Sequence, residues 1–292
     1  MGVSKFRDGG NAMLIRGIAL LAMALAAIVG LPLGIFNGYG WLWAYPLLAV
    51  GFFLLQAAAV FGYIWLLAKR VDVELEQDGD DPHYRKVVEL VLDSAMPFVR
   101  MNTKVKGVDK VPQEGRFLLV CNHVSDFDPA PIMYALPGRQ LAFIAKQEVK
   151  HYFLAGPYMH KLQGQFINRE NDREALKTIV KCIQILKEDK GSVAVFPEGG
   201  IHQDRKFHRF RPGVFKIAQK AKMPIVVCTL KNSRYLVENL LKLKKTDTEF
   251  SVLTVIWPEE FENVTTVELA DRIYHIMAED LGPENVAQEE NA

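Results

Sequence analysis

The chain has 292 residues, of which 50% are hydrophobic, and its formal net charge is +1. A chain of this length can bury a sizeable core, so it needs neither a disulfide framework nor a structural metal ion to fold. Cys121, Cys182 and Cys228 lie in apolar stretches at no metal-ligand spacing, which predicts buried thiols in a reducing compartment. We expect no metal site and no nucleic-acid partner.

Two hydrophobic segments dominate residues 1–70. The candidate spans are 13–33 and 41–68, and Arg16 is their one charged residue. A membrane span needs about 20 apolar residues, and both segments reach that length. Asn37 and the glycines around it predict a turn between them. We therefore predict a hairpin of two membrane helices.

The basic residues near this hairpin indicate its orientation. They all lie outside the turn: Lys5, Arg7, Arg16, Lys69 and Arg70. By the positive-inside rule both ends are cytoplasmic, and the rest of the chain lies against the inner leaflet of the cytoplasmic membrane. Two alternatives stay open. The first segment could be a signal peptide, which the second segment disfavours, or the pair could be an interfacial or re-entrant hairpin, which Pro32 and Pro46 would suit.

The remaining chain predicts an acidic linker (71–82), an α/β domain (83–281) and an acidic tail (282–292). Helical patterns cover 83–100, 128–136, 171–187, 214–222 and 266–281. Strand patterns cover 105–108, 116–121, 141–145, 166–167, 192–196, 224–230 and 250–256. This alternation predicts a mixed, largely parallel sheet flanked by helices. Ligands of such sheets bind at the carboxyl ends of the strands.

His123 follows the buried strand 116–121, and Asp128 comes five positions later at the start of a helix. A carboxylate turned back onto the imidazole would fix its tautomer, so that the other ring nitrogen could take a proton from a hydroxyl. Taken alone, this spacing favours an aspartate that caps a helix and a histidine that fills a loop. Ser125 has no Gly-x-Ser-x-Gly turn around it, so a serine nucleophile is not indicated.

The order of the polar motifs favours the catalytic interpretation. Asn122-His123-x-x-x-x-Asp128 resembles the first block of the 1-acyl-sn-glycerol-3-phosphate acyltransferase family. Further blocks follow in the family's order: Lys146 with Gly156-Pro157 and Gly164-Gln-Phe-Ile-Asn-Arg169, then Phe196-Pro-Glu-Gly199 with Phe210-Arg-Pro-Gly213, then Pro224-Ile-Val-Val. The resemblance covers residues 100–230 and implies the glycerolipid acyltransferase fold.

The resemblance also implies direct transfer of a fatty acyl group from acyl-CoA or acyl-carrier protein to a lysophospholipid hydroxyl, at the membrane and without a further cofactor. His123 would be the base and Asp128 would orient it. Arg169 would contact the acceptor's phosphate, to which a guanidinium fork is suited. The other residues that the resemblance assigns to the substrate are Asn122, Lys146, Glu198, Gly199, Gly200 and Arg211.

The third block departs from the family pattern, because Gly200-Ile201 stands where the family has Thr-Arg. The second block has Asn168-Arg169 in place of Asp-Arg. Basic residues that could bind the phosphate, the coenzyme A nucleotide or anionic headgroups follow closely: Arg205, Lys206, Arg209 and Arg211. Esterification of 1-acylglycerol 3-phosphate to phosphatidate is the leading hypothesis. The alternatives are another lysolipid acceptor, a noncatalytic membrane lipid-binding protein and a thioesterase.

Overall fold

Two apolar helices begin the computed structural model, which describes residues 13–288. Helix α1 spans Met13–Gly30 and helix α2 spans Ala44–Lys69. Each is long and apolar enough to cross a membrane, and they pack against each other on either side of the predicted turn. Lys5 and Arg7, which help to orient the hairpin, lie outside the described residues, as does the end of the acidic tail.

A seven-stranded sheet flanked by helices follows the hairpin. The strands are β1 (Met101–Lys106), β2 (Leu118–Val120), β3 (Leu141–Lys146), β4 (Gln165–Ile167), β5 (Ser192–Val195), β6 (Ile225–Lys231) and β7 (Thr246–Ile256). The helices are α3 (Pro82–Phe98), α4 (Pro129–Ala135), α5 (Ala155–Lys161), α6 (Asp172–Lys187), α7 (Lys216–Ala221), α8 (Leu236–Leu241) and α9 (Thr266–Leu281).

The strand order is β1-β7-β6-β2-β5-β3-β4. Neighbouring strands are parallel throughout, except that β6 and β7 are antiparallel. The central strands β2 and β5 are buried along their whole length, as continuous apolar strands covered on both faces should be. The predicted mixed, largely parallel sheet is therefore confirmed. Strands β6, β2, β5, β3 and β4 all end at one edge, which is called the carboxyl edge below.

The sequence pattern misses α5 and α8. They are seven and six residues long, which is less than two full turns of hydrophobic periodicity. It also starts β7 at residue 250, whereas the strand begins at Thr246. These differences matter because α5 supports the hairpin and α8 lies beside the carboxyl edge.

The acidic segment 71–82 is fastened to the α/β domain by ion pairs. Exposed carboxylates along it meet lysines of the domain at 2.5–2.7 Å: Glu74 with Lys150, Glu76 with Lys181, and Asp78 with Lys190. Asp80 pairs with the buried Arg85 of α3. The exposed pairs hold the segment in place but add little stability, since solvent and salt screen them.

The hairpin is joined to the domain through two tyrosines. The hydroxyl of Tyr84 in α3 donates to the carbonyl of Leu67 at 3.0 Å, and that of Tyr158 in α5 donates to the carbonyl of Ile64 at 3.1 Å. Both rings pack with Leu67 in a small buried apolar cluster. The last turns of α2 therefore belong to the same packed body as α3 and α5.

Candidate active site

The loop that follows β2 is anchored by Asn122. The side-chain Nδ2 donates to the carbonyl of Leu230 at 2.9 Å, and Oδ1 accepts from the amide of Leu230 at 2.8 Å. The side-chain amide thus continues the hydrogen bonding between β2 and β6 by one step. Because Asn122 is 1% exposed and both ends of its amide are bound, it positions the loop. The substrate contact that the resemblance implies for Asn122 stays a prediction.

Asp128 turns back into this loop. Its Oδ2 accepts from Nδ1 of His123 at 2.9 Å, from the amide of Val124 at 2.8 Å and from the amide of Ser125 at 2.9 Å. It makes no side-chain hydrogen bond to the start of α4, so the helix-capping interpretation is wrong. The carboxyl group is fully buried, and three donors on one oxygen fix its orientation.

The imidazole of His123 is held from two sides. Its Nδ1 faces Asp128, and its ring stacks on Phe196 with centroids 4.1 Å apart and planes 11° apart. The side chain keeps 17% of its surface exposed. Its Nε2 has no hydrogen-bond partner among residues 13–288. The ring is therefore oriented with one nitrogen on a buried carboxylate and the other available to a hydroxyl, which is the arrangement of a general base.

The buried carboxyl of Glu198 links two segments of the site. Its Oε1 accepts from the amide of His123 at 2.7 Å and its Oε2 accepts from the amide of His208 at 2.9 Å. Burial raises the pKa of Glu198 to about 8, although both hydrogen bonds favour the charged form. With 4% exposure and both oxygens bound, Glu198 positions the His123 loop. The acceptor contact that the resemblance implies for Glu198 stays a prediction.

Gly199 and Gly200 form a turn against which cationic side chains pack. Gly199 has φ +85°, a conformation that favours glycine. A Cβ on Gly199 would lie 2.6 Å from Nε of Arg211, and a Cβ on Gly200 would lie 3.3 Å from Nη1 of Arg169 and 3.8 Å from Cε of Lys146. The missing side chains thus leave room for three cations. The sequence placed all five residues at the substrate, and the structure brings them together.

These cations have one carboxylate near them, that of Glu148, whose charge acts to raise the pKa of Arg169. Lys146, Arg169 and Arg211 form no ion pair with any residue from 13 to 288. Burial, and then the nearby Arg211, lower the pKa of Arg169. Positive groups held close together without an ion-pair partner attract an anion, and guanidinium groups suit the oxygens of a phosphate.

The rest of the basic loop does not join this cluster. Arg205 donates to the carbonyl of Arg234 at 3.1 Å. Arg209 pairs with Asp271 at 3.3 Å and lies over the ring of Tyr274. Of the four basic residues that follow the third block, Arg211 is the one that packs against the glycine turn.

Two residues of the site were missed by the sequence analysis. Phe196 supplies the face on which His123 stacks, and the amide of His208 holds Glu198. Phe196 belongs to the third block, so its position was a signal for a role. The contact of His208 is made by its backbone, which the side-chain sequence does not reveal.

We expect Glu198→Gln to flatten the pH dependence of stability. The pKa of Glu198 rises from 4.5 to about 8 on folding, so the folded chain keeps a proton that the unfolded chain releases. This contribution is complete below pH 4.5 and is lost as the pH rises through about 8, and it amounts to roughly 3–5 kcal/mol.

Thermal unfolding midpoints measured at about pH 5 and about pH 8.5 would report this difference. The wild-type midpoint should fall more between the two values than that of the glutamine variant, since all other titrating groups are shared. An equal fall in both proteins would mean that Glu198 does not bind this proton.

The residues of this site lie within a segment that matches a known protein family. The family model described as "Acyltransferase" matches residues 102–231. The chain is 28% identical over 219 residues to the human 1-acyl-sn-glycerol-3-phosphate acyltransferase alpha, covering 74% of this chain and 76% of that protein. It is 27% identical over 220 residues to a probable 1-acyl-sn-glycerol-3-phosphate acyltransferase of Mycoplasma pneumoniae, covering 71% and 81%.

The fold is also found in a solved structure. The crystal structure of the 1-acyl-sn-glycerophosphate (LPA) acyltransferase of Thermotoga maritima superposes with a TM-score of 0.58 at 18% identity. The match covers 94% of this chain and all of that one. The similarity thus extends over the N-terminal helices as well as the sheet.

Proposed function

The chain belongs to the acyltransferase family and is an acyltransferase, and from this premise we propose that it transfers a fatty acyl group to the free hydroxyl of 1-acylglycerol 3-phosphate to give phosphatidate. The donor would be a thioester, either acyl-CoA or acyl-carrier protein. The observation that carries the proposal is the oriented His123–Asp128 pair on a sheet edge that also holds unpaired cations. The names of the similar proteins point to the same acceptor.

The transfer needs a base and no covalent enzyme intermediate. His123 Nε2 takes the proton of the acceptor hydroxyl while that oxygen attacks the thioester carbonyl carbon. The tetrahedral intermediate collapses with loss of the thiolate, which takes the proton back from the imidazolium. Asp128 fixes the ring and stabilises its positive charge during the step. The products are an ester and a free thiol, so the atoms and charges balance.

The acceptor's phosphate would bind the three cations at the glycine turn. Arg169 and Arg211 offer guanidinium groups, and Lys146 adds a point charge. Gly200 stands where the family has threonine, and Ile201 where it has arginine, so this chain would rely on Arg211 and Arg169 for the phosphate. The same departure keeps another lysolipid acceptor as the second candidate.

We propose that the two apolar helices anchor the enzyme in the cytoplasmic membrane, with the α/β domain on the cytoplasmic side. Lys69 and Arg70 follow the hairpin, as the positive-inside rule requires of that side. Donor thioesters are made in the cytoplasm, whereas the acceptor is an amphiphile that resides in the bilayer. An anchored enzyme meets both substrates at the surface.

A panel of acceptors tests the proposal. Purified protein in lipid vesicles is given acyl-CoA or acyl-carrier protein, with 1-acylglycerol 3-phosphate, with other lysophospholipids, or with monoacylglycerol. Phosphatidate formation is expected. Turnover confined to acceptors without a terminal phosphate would replace it with the second candidate. Release of fatty acid without any acceptor would indicate a thioesterase, and no turnover of any thioester would contradict the proposal.

We expect Arg169→Gln and Arg211→Gln each to lower kcat/KM for 1-acylglycerol 3-phosphate by about 10- to 100-fold, because a hydrogen bond to a charged group contributes about 1.5–3 kcal/mol. Monoacylglycerol, which lacks the phosphate, should be turned over equally by variant and wild type. Arg205→Gln is the matched control, since that guanidinium bonds to the carbonyl of Arg234. An equal loss with both acceptors would indicate structural damage.

A further inference from the structure

Helix α8 and the residues after it form an exposed surface of leucines and lysines. We define the Leu–Lys surface by these members: Val237, Leu240, Leu241, Lys242, Leu243, Lys244 and Lys245. Leu241 and Leu243 are 82% and 73% exposed. The one leucine of α8 that is buried, Leu236, packs with Met96, Met101 and Tyr134. Leu236 therefore attaches the helix to the domain, and the exposed leucines are not needed for that packing.

Leucine at position 243 is unexpected on backbone grounds. Leu243 follows α8 with φ +53°, a left-handed conformation that glycine or asparagine usually supplies at a helix end. The amide of Lys244 bonds to the carbonyl of Asn239, as in a helix-terminating motif. Arg100 fixes the segment by donating to the carbonyl of Leu243 at 2.6 Å. An exposed apolar side chain thus stands where a glycine would be less strained.

The three lysines of the surface outnumber the acid beside them, Glu238, whose pKa both Lys242 and Lys244 lower. Lys242 pairs with Glu238 one helical turn earlier. Lys244 and Lys245 form no ion pair with any described residue. Lys242, Lys244 and Lys245 exceed the one acid of α8, Glu238, and stand beside exposed leucines. This combination suits a partner that is apolar inside and negatively charged outside.

The Leu–Lys surface lies at the same edge of the sheet as His123. Strand β6 runs parallel to β2, and Leu230 near its end bonds to Asn122, the neighbour of His123. Helix α8 begins shortly after β6 ends, and the chain then returns to the sheet at Thr246, which pairs with Met101. A planar partner that covers this edge would therefore meet the leucines, the lysines and the entrance to the site together.

We propose that the Leu–Lys surface docks on an anionic lipid bilayer and holds the carboxyl edge of the sheet against it. The leucines enter the headgroup region, while the lysines bind lipid phosphates. This inference rests on the membrane placement under the proposed function. The hairpin fastens one end of the domain to the bilayer through α2, and this surface provides a second, chemically different contact next to the site.

The buried cysteines make a direct test possible. Cys121, Cys182 and Cys228 are each 0% exposed, so a cysteine introduced at Leu241 can be labelled selectively with a polarity-sensitive fluorophore. The full chain is reconstituted in vesicles of phosphatidylglycerol or of phosphatidylcholine. Val267→Cys is the matched control, because Val267 is 55% exposed at the start of α9, beyond the opposite end of the sheet.

The expected result is a blue-shifted emission of the Leu241→Cys probe in phosphatidylglycerol, with quenching by lipid-borne quenchers, and neither change at Val267→Cys. Replacing Lys244 and Lys245 with glutamine should weaken docking by about fivefold for each lysine, since that is the usual electrostatic contribution near an anionic surface. Added salt should act in the same direction as the two substitutions.

A water-like emission at Leu241→Cys in both kinds of vesicle would overturn the inference. A blue shift produced only by added acyl-carrier protein would overturn it too, and would assign the surface to an acidic protein. Acyltransferase activity is measured on the same samples. Activity without lipid quenching would reject the docking surface alone, whereas quenching without activity towards any lysolipid would reject the proposed function alone.

Discussion

The variant His123→Ala should lose acyltransferase activity by about 10²- to 10⁴-fold in kcat, the usual contribution of a positioned general base. In the wild type, Nδ1 of His123 is bound to the buried carboxylate of Asp128 at 2.9 Å and the ring is stacked on Phe196. These two contacts present Nε2 in one orientation. KM for both substrates should change little. Initial rates with saturating thioester and acceptor measure the loss.

Ser125→Ala is the control for this prediction. Ser125 lies in the same loop and carries a hydroxyl, but that hydroxyl accepts a hydrogen bond from the amide of Phe127 at 3.3 Å, and the residue is buried. Its loss should therefore leave most of the activity. If Ser125→Ala were inactive and His123→Ala active, the reaction would not use the histidine as base, and the mechanism would have to include a serine intermediate.

Asp128→Asn should lower kcat by about 10²- to 10⁴-fold, as His123→Ala does, because without the carboxylate charge the imidazolium has no negative partner. An asparagine Oδ1 can still accept from the amides of Val124 and Ser125, so the loop should keep its shape. The asparagine Nδ2 would take the place of the Asp128 Oδ1, which is buried and has no hydrogen-bond partner in the described chain. Burying an unpaired amide there should lower the free energy of unfolding by about 1–3 kcal/mol.

Asp126→Asn is the control for the position of the charge, because it removes a carboxylate from the same loop without touching Asp128. Asp126 is an exposed carboxylate two residues earlier in the same loop, so its removal should leave kcat nearly unchanged. Thermal unfolding of both variants would show whether a loss of rate follows a loss of fold. Wild-type turnover by Asp128→Asn would mean that the buried carboxylate serves only to shape the loop.

The sequence predicted the contact between His123 and Asp128 because that contact is local. His123 and Asp128 are five residues apart, and the buried strand before them indicated that they stand at a sheet edge. Lys146, Arg169 and Arg211 were assigned by the order of the motifs. Their convergence on one glycine turn is a property of the strand order, which local patterns do not determine.

The roles of Asn122 and Glu198 could not be predicted in this way. Asn122 bonds to Leu230, 108 residues away, and Glu198 bonds to the amide of His123, 75 residues away. Asn122 precedes His123 and Glu198 precedes Gly199, and both lie in motifs of the family, so the resemblance implied a substrate contact for each. Long-range backbone hydrogen bonds, which bury the two side chains, assign them to the support of the site.

The tyrosine contacts between α2 and the α/β domain have a practical consequence for protein engineering. Because the hydroxyls of Tyr84 and Tyr158 bond to carbonyls in the last turns of α2, removal of the hairpin would expose two polar groups and an apolar cluster at once. A soluble truncation that starts after Arg70 would therefore tend to aggregate. Crystallisation would need either the intact hairpin in detergent or polar replacements on the uncovered face of α3 and α5.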